Sequence, residues 1–370
     1  MELRVIQPDA NPVLPPLYGR WMDTLLGKAI PPETVATCSD CAMCAEDEQE
    51  RMPSGYYFDP GIKCCSFIPD LPNFLVGRVL ADDDAGRAAG RATVEQRIAD
   101  GVAVTPLNLG RHPTYQALYQ HVTNTAGFGR DRTIRCPHYL DERGGLCGIW
   151  PHRESTCTTW FCKHVRGATG KHFWATLQQL LQGLETELAF WCVLKLDLGR
   201  EAVGRLFTSS VPSLDPDPKG EGRLTGVPDR QVRQANWGRW AGRERDFYME
   251  CARLVEPLSW ADVEAICGPR IRAYASVTVD AFEQLTSSAV PPRLRVATFK
   301  VLLAKPRISR IESYSSCDPV TVPNALLDLL HYFDGRPTDE VVKAIEADHG
   351  VEVEESLVRK LVDFRILTAC

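Results

Sequence analysis

Apolar residues recur at three- and four-residue steps over residues 172–198, and this spacing predicts an amphipathic helix. A shorter helix is predicted over 92–98, and further helices over 237–254, 259–266 and 271–287. Ser259 can cap the 259–266 helix, and Asp262 lies in its first turn, where negative charge suits the helix dipole. The stripe of the longest helix consists of Phe173, Leu177, Leu180, Leu181, Leu184, Leu188 and Trp191.

The pattern changes after Pro291-Pro292. Strands are predicted over 294–303 and 308–313, followed by a short helix over 323–333 and a turn at Asp334-Gly335. Thr338 is predicted to cap a helix that runs to 346, and a last helix spans 354–364. This order indicates a small winged helix. The fold class is therefore predicted to be mainly α, of the α+β type.

Four regions are predicted from these patterns. Residues 1–37 are rich in proline and are expected to form an extended arm. Residues 38–172 are expected to form a cysteine-cluster metal-binding domain. Residues 173–290 form a helical region with a long, Pro- and Gly-rich surface loop at 208–236. Residues 291–370 form the winged-helix module.

Composition limits the function classes. The chain has 370 residues, 44% of them apolar and 24% charged, so it can bury an ordinary core without disulfides. It lacks a signal-like start and any apolar run of membrane-spanning length. We therefore expect a cytoplasmic protein with reduced thiols and no membrane partner. A net charge of -6 provides no bulk electrostatic case for nucleic acid.

The cysteines carry the strongest chemical signal. Thiolates suit zinc, iron and iron–sulfur clusters, and two-residue spacings let them converge on one centre. Because one zinc or one cluster takes about four ligands, the set predicts two centres, or one centre and a reactive thiol. Five scattered cysteines are expected to be small core residues: Cys192, Cys251, Cys267, Cys317 and Cys370. The nine candidate metal and cofactor ligands are Cys38, Cys41, Cys44, Cys64, Cys65, Cys136, Cys147, Cys157 and Cys162.

Three histidines, His138, His152 and His164, lie among the later cysteines. Imidazole suits both zinc and iron, so these side chains could complete a coordination shell. The alternative is a structural histidine that contacts no metal. The number of thiols makes histidine ligands unnecessary, and no catalytic triad or nucleotide-binding loop is evident.

Residues 38–165 resemble the YkgJ-type cysteine-cluster family of zinc- or iron-chelating domains. The resemblance rests on the Cys38-x2-Cys41-x2-Cys44 spacing, the Cys64-Cys65 pair, and a later segment that begins Cys136-Pro. That segment also contains an Arg-x-x-x-Cys stretch and ends in an aromatic residue and Cys162. Here a long insertion separates Cys44 from Cys64, which leaves open which cysteines share a centre. The resemblance implies metal binding and no particular substrate.

The segment 325–345, followed by 357–367, resembles the PqqD-like winged helix of peptide-modifying pathways. The resemblance implies that an edge strand of the module pairs with an incoming peptide or protein. A DNA-binding role is the rival, and the mixed charge of the last helix disfavours it. A structural or dimerisation role also stays open.

Two hypotheses follow. In the first, an iron–sulfur cysteine-cluster protein acts as an enzyme or accessory in peptide or protein modification or redox chemistry. Zinc and mononuclear iron are the alternative cofactors. In the second, zinc stabilises a non-catalytic binding or regulatory protein. The sequence identifies no catalytic residue, so it leaves the enzymatic question open.

Overall fold

The computed structural model describes residues 13–39, 41–44, 57–111, 113–125, 127–208 and 230–370. Among the described residues 55% are helical and 11% lie in strands, which confirms the predicted α-dominant fold class. No helix within these described ranges is both long and apolar enough to cross a membrane.

Eleven helices precede the C-terminal module in the described residues. The predicted helices at 92–98, 172–198, 259–266 and 271–287 are confirmed with small shifts at their ends, and the one predicted at 237–254 begins later, at 244. Ser259 and Asp262 form the expected reciprocal cap. The helices are α1 (Pro16–Leu26), α2 (Asn73–Ala81), α3 (Ala88–Asp100), α4 (Pro113–Asn124), α5 (Ser155–Thr159), α6 (Gly167–Lys195), α7 (Arg200–Thr208), α8 (Arg230–Trp237), α9 (Glu244–Val255), α10 (Trp260–Cys267) and α11 (Pro269–Thr286).

Helix α6 lies at the centre of this part of the molecule. It contacts α2, α5, α9, α10 and α11, and its stripe from Phe173 to Leu188 is buried. Two antiparallel pairs of short strands flank the helices: β1 (Leu71–Pro72) with β2 (Asn108–Leu109), and β3 (Tyr139–Leu140) with β4 (Leu146–Cys147). One large cluster of buried apolar side chains extends from Leu14 to Leu285, and Tyr115, Val122 and Ile134 form a small separate cluster.

The expected extended arm at 1–37 is wrong over 16–26, which form α1. Pro16 occupies the first helical position, where a missing N–H costs nothing because that group has no partner in the helix. Tyr18 and Trp21 of α1 are fully buried. Proline content therefore indicated the start of a helix here. Residues 1–12 lie outside the described part of the chain.

The predicted loop at 208–236 is too long. Residues 209–229 lie outside the described ranges, but α8 already begins at Arg230. Trp237 at the end of α8 is buried against Phe247 and Tyr248, and this packing stabilises a helix that its polar sequence alone did not indicate.

The C-terminal module has six strands and three helices. Strand β5 (Arg293–Val296) lies between the later strands β9 and β10, and β6 (Lys300–Ala304), β7 (Ile308–Glu312) and β8 (Val320–Pro323) form an antiparallel meander. The remaining elements are α12 (Asn324–Leu329), β9 (Asp334–Pro337), α13 (Thr338–His349), α14 (Glu355–Asp363) and β10 (Leu367–Ala369).

Three local predictions for this module are corrected. The single strand at 294–303 is two strands, because the chain leaves one sheet and enters another. The turn at Asp334-Gly335 is the start of β9, which pairs with β5. Pro337 occupies the cap position of α13; the Thr338 hydroxyl instead donates to the Pro291 carbonyl oxygen at 2.9 Å.

The module has its own buried cluster, from Leu294 to Leu367, and it contacts the start of α6. The Arg166 guanidinium donates to both carboxylate oxygens of Asp363, at 2.6 and 2.9 Å. Gly167 has φ +48, and a Cβ there would lie 2.6 Å from the Asp363 carbonyl oxygen. The module therefore packs against the short segment that follows Cys162, the last of the clustered cysteines.

Candidate metal centre

The cysteine segment from Cys38 to Cys65 is joined to the segment from Cys136 to Cys162 by a main-chain hydrogen bond. The Cys136 amide donates to the Cys65 carbonyl oxygen at 2.7 Å. Next to this bond, the Lys63 ammonium donates to the carbonyl oxygens of Cys38, Gly144 and Gly145 at 2.7, 3.0 and 2.9 Å. Lys63 is buried, so these three acceptors replace its water shell. The long insertion between Cys44 and Cys64 therefore does not keep the Cys64-Cys65 pair away from Cys38 in space.

The first segment contains a tight turn. The Cys44 amide donates to the Cys41 carbonyl oxygen at 2.9 Å. The Phe58 amide donates to the carbonyl oxygen of Met43, which lies within this turn. The Cys44 thiol donates to the Cys41 sulfur, which lowers the pKa of Cys41, and the amides of Met43 and Cys44 and the charge of Lys63 act in the same direction. Cys41 is therefore the thiol best prepared to be a thiolate.

Cys64 lies where the segments meet. Its sulfur accepts a hydrogen bond from the Cys38 thiol, and its own thiol donates to Cys65. It also interacts electrostatically with Cys162, the last cysteine of the later segment. Cys162 in turn interacts with Cys41. Thiols from both ends of the cysteine-rich region, Cys38 and Cys162, therefore belong to one group of interacting thiols, which we call the first set.

A second set lies on the later segment. Cys147 pairs with Tyr139 across β3 and β4, and burial raises the pKa of Cys147 to about 11 and that of Cys136 to about 12. Cys157 interacts with both of these thiols. Electrostatic interactions of Cys136 with Cys64, and of Cys147 with Cys38, link this set to the first.

A buried polar network supports Cys157. The Glu154 carboxylate accepts the Cys157 and Thr156 amides at 2.8 and 2.6 Å and so caps α5. The Glu185 carboxyl group of α6 accepts the Ser155 amide and hydroxyl, both at 2.6 Å, and the Tyr18 hydroxyl. Burial and the charge of Glu154 raise the pKa of Glu185 to about 8. No motif or spacing in the sequence indicates this network.

Arg153 is a buried cation among the thiols. Its guanidinium stacks on the Trp150 ring at 3.3 Å and donates to the Trp150 and Cys157 carbonyl oxygens. Burial lowers the pKa of Arg153, while thiolate charge, that of Cys147 foremost, opposes this change. Arg153 and Lys63 are therefore placed to offset the charge of thiolates. Their sequence signals were the Arg-x-x-x-Cys stretch and the position directly before Cys64-Cys65.

The histidines have partners of their own. His138 is fully buried, with Nδ1 2.7 Å from the Thr93 hydroxyl and Nε2 3.2 Å from the Arg97 guanidinium. Burial lowers the pKa of His138 to about 3. His152 Nε2 lies 2.8 Å from the Asp82 carboxylate, and burial lowers the pKa of His164 to about 4. His138 thus has a structural role in α3 packing.

Among the described residues, no three histidine, cysteine, aspartate or glutamate side chains are already arranged as a metal-binding group. The thiols form hydrogen-bonded pairs instead. The donor type still suits a thiophilic metal, because soft thiols from two segments lie near two buried cations, Lys63 and Arg153. A cleft of about 540 Å³ between α7 and α8 has no cysteine in its lining, so it belongs to a different surface.

Comparisons of the chain with protein-family models, with curated proteins and with solved structures give no significant match. The resemblances to the cysteine-cluster family and to the PqqD-like winged helix therefore rest on the residues themselves.

Proposed function

We propose that this protein is a metal-binding cysteine-cluster protein that holds iron–sulfur and acts as an enzyme or accessory in peptide or protein modification or redox chemistry. The supporting observation is the convergence of both cysteine segments at Cys64, which interacts with Cys38, Cys65 and Cys162. A bound cluster would supply electron transfer or a site for group chemistry, and the chain would supply thiolates and compensating charge.

The number of thiols favours iron–sulfur over one structural zinc. A structural zinc is closed by four ligands, whereas the first set alone contains Cys38, Cys41, Cys44, Cys64, Cys65 and Cys162. The charge environment supports the same proposal. Hydrogen bonds, net charge and exposure set cluster potentials, and Arg153 and Lys63 add buried positive charge beside the thiols.

The C-terminal module is proposed to bind a peptide or protein partner by strand addition. In the described part of the chain, β6 pairs with β7 on one side only. Val301 and Leu303 of β6 are 50% and 41% exposed, so this edge offers backbone groups and apolar side chains together. An extended peptide uses such an edge for affinity and for side-chain selection.

Elemental analysis of protein purified without oxygen tests the metal proposal. We expect about four or more irons per chain with matching acid-labile sulfide, and broad visible absorption. Cys64→Ser should lose most of this iron, whereas Cys370→Ser, which changes an exposed thiol, should retain it. A colourless wild-type protein with one or two tightly held zinc ions would overturn the iron–sulfur proposal in favour of a zinc-stabilised binding protein.

Selection from displayed random peptides tests the partner proposal. Peptides enriched on the wild-type protein should lose binding to Ala304→Pro. The amide of Lys305 donates to Ile308, so the alternation of antiparallel pairing turns the Ala304 amide toward the open edge of β6, and proline removes this donor. Val351→Pro, at an exposed position in the same module, serves as the control. Enriched peptides that bind Ala304→Pro equally well would show that the edge is not the binding surface.

A further inference from the structure

The loop that joins β7 to β8 reaches the end of the second cysteine segment. The Asp318 carboxylate accepts the His164 amide at 3.3 Å and the Tyr314 hydroxyl, and that hydroxyl lies 3.4 Å from His164 Nδ1. His164 is two residues after Cys162, and Asp318 directly follows Cys317. The hydrogen bonds therefore bring the neighbours of these two cysteines together.

The thiols of Cys162 and Cys317 interact electrostatically across this contact. Both side chains are half-buried, and Cys162 also interacts with Cys41 of the first segment. Cys317 thus adjoins the first thiol set, although it lies far from that set in sequence. Spacing alone assigned it to the scattered core cysteines.

The contact is fixed from both sides. The buried Glu33 carboxylate accepts the Val165 amide at 2.5 Å and the Trp174 indole N–H at 2.8 Å, so the segment after Cys162 is held on the main body. On the module side, the Ser313 hydroxyl donates to the Phe364 carbonyl oxygen at 2.6 Å, which ties the loop to the end of α14. Neither side of the contact is a free loop.

We propose that Cys317 is a tenth thiol of the cysteine centre and that the C-terminal module completes this centre when it docks. The inference rests on the proposed function, since the ligand is the same thiophilic metal, iron or zinc. The structure adds a consequence for the partner. A peptide added at β6 would join the same three-stranded meander whose β7–β8 connection carries Cys317, so one sheet would connect the partner to this thiol.

Thiol protection in the intact protein tests this inference. Anaerobically purified protein is alkylated under native conditions, with and without prior removal of metal by a chelator, and each cysteine is quantified by mass spectrometry. We expect Cys317 to react at least about tenfold more slowly in the metal-loaded protein, because a coordinated thiolate is not free to attack. Cys370, an exposed thiol of the same module, should react at one rate in both states.

Equal alkylation rates of Cys317 with and without metal would overturn the proposal. Cys317→Ser provides an independent check: we expect faster loss of metal to a chelator and a changed visible spectrum, whereas Cys370→Ser should match wild type. A wild-type protein without metal would instead defeat the proposed function. In that event, failure to link Cys162 to Cys317 with a short bifunctional thiol reagent would also exclude the contact itself.

Discussion

The Lys63 ammonium nitrogen lies 2.7 Å from the carbonyl oxygen of Cys38, and two glycine carbonyls of the later segment complete its hydrogen bonds. Lys63 also has φ +53, a backbone conformation that costs energy for a residue with a side chain. The main chain before Cys64-Cys65 is therefore held in an unfavourable conformation by bonds that span both cysteine segments.

Replacement of this lysine should weaken the whole region. Lys63→Met keeps the apolar stem but leaves three carbonyl groups without their donor, so the free energy of unfolding should fall by about 3 kcal/mol. Urea unfolding measures the change. Lys343→Met, at an exposed surface pair with Asp339, should have almost no effect. Equal unfolding midpoints for wild type and Lys63→Met would contradict this prediction.

Glu185 should make stability depend on pH. Its folded pKa, about 8, lies above the value of about 4.3 for an unfolded glutamate, so only the folded state holds the proton between these values. The free energy of unfolding should therefore decrease from pH 5 to pH 8, by up to about 1.4 kcal/mol per pH unit. The groups that face this carboxyl group are Glu154, Ser155 and Tyr18.

Glu185→Gln should remove this dependence, because the amide can accept from Tyr18 and the Ser155 amide and donate to the Ser155 hydroxyl. The variant should gain stability over wild type as the pH rises. Unfolding curves at several pH values measure the difference. Glu187→Gln, at a half-buried position of the same helix, is the matched control. Parallel pH profiles for wild type and Glu185→Gln would count against the protonated network.

His138 should be dispensable for metal binding. Both ring nitrogens already have partners in α3, so His138→Gln should retain the metal content of wild type while it loses about 1–3 kcal/mol of stability. Cys136→Ser, two residues away, should lose metal. Metal analysis of both variants tests whether His138 binds metal. A large metal loss in His138→Gln would show that this histidine is needed for metal binding and contradict the prediction.

The ion pair between Arg166 and Asp363 should hold the C-terminal module in place. Arg166→Met leaves the buried Asp363 carboxylate with Arg359 and the Thr169 hydroxyl, so we expect a loss of about 3 kcal/mol and faster proteolysis near residues 287–292. Arg336→Met, which removes an exposed pair with Asp334, is the control. Unchanged proteolysis of Arg166→Met would mean that other contacts hold the module.

The sequence predicted features that depend on neighbouring residues. The apolar stripe of α6 and the reciprocal cap of Ser259 and Asp262 are local, and both are found as expected. Helix α1 was missed because prolines at its start indicated an extended arm. The role of Thr338 was misjudged for a related reason, since its hydroxyl bonds to Pro291, which is remote in sequence.

The arrangement of the candidate centre could not be predicted in the same way. Spacing selected the nine cysteines but left open which of them share a centre. In the structure, Cys162 interacts electrostatically with Cys41 and Cys64. The buried cation Arg153 was also missed as a charge partner, because burial of a charged residue depends on contacts that spacing does not encode. Long-range packing decides which thiols become neighbours.

The network from Tyr18 through Glu185 to Ser155 also determines whether the cysteine region could fold as a separate fragment. Cys157 depends on a tyrosine near the amino terminus and on a glutamate within α6, and both lie outside residues 38–172. A fragment cut at those limits would lose both supports and expose the apolar faces that α1 and α6 cover. The cysteine region is therefore not an independently folding unit, because the placement of its thiols depends on helices that lie outside it.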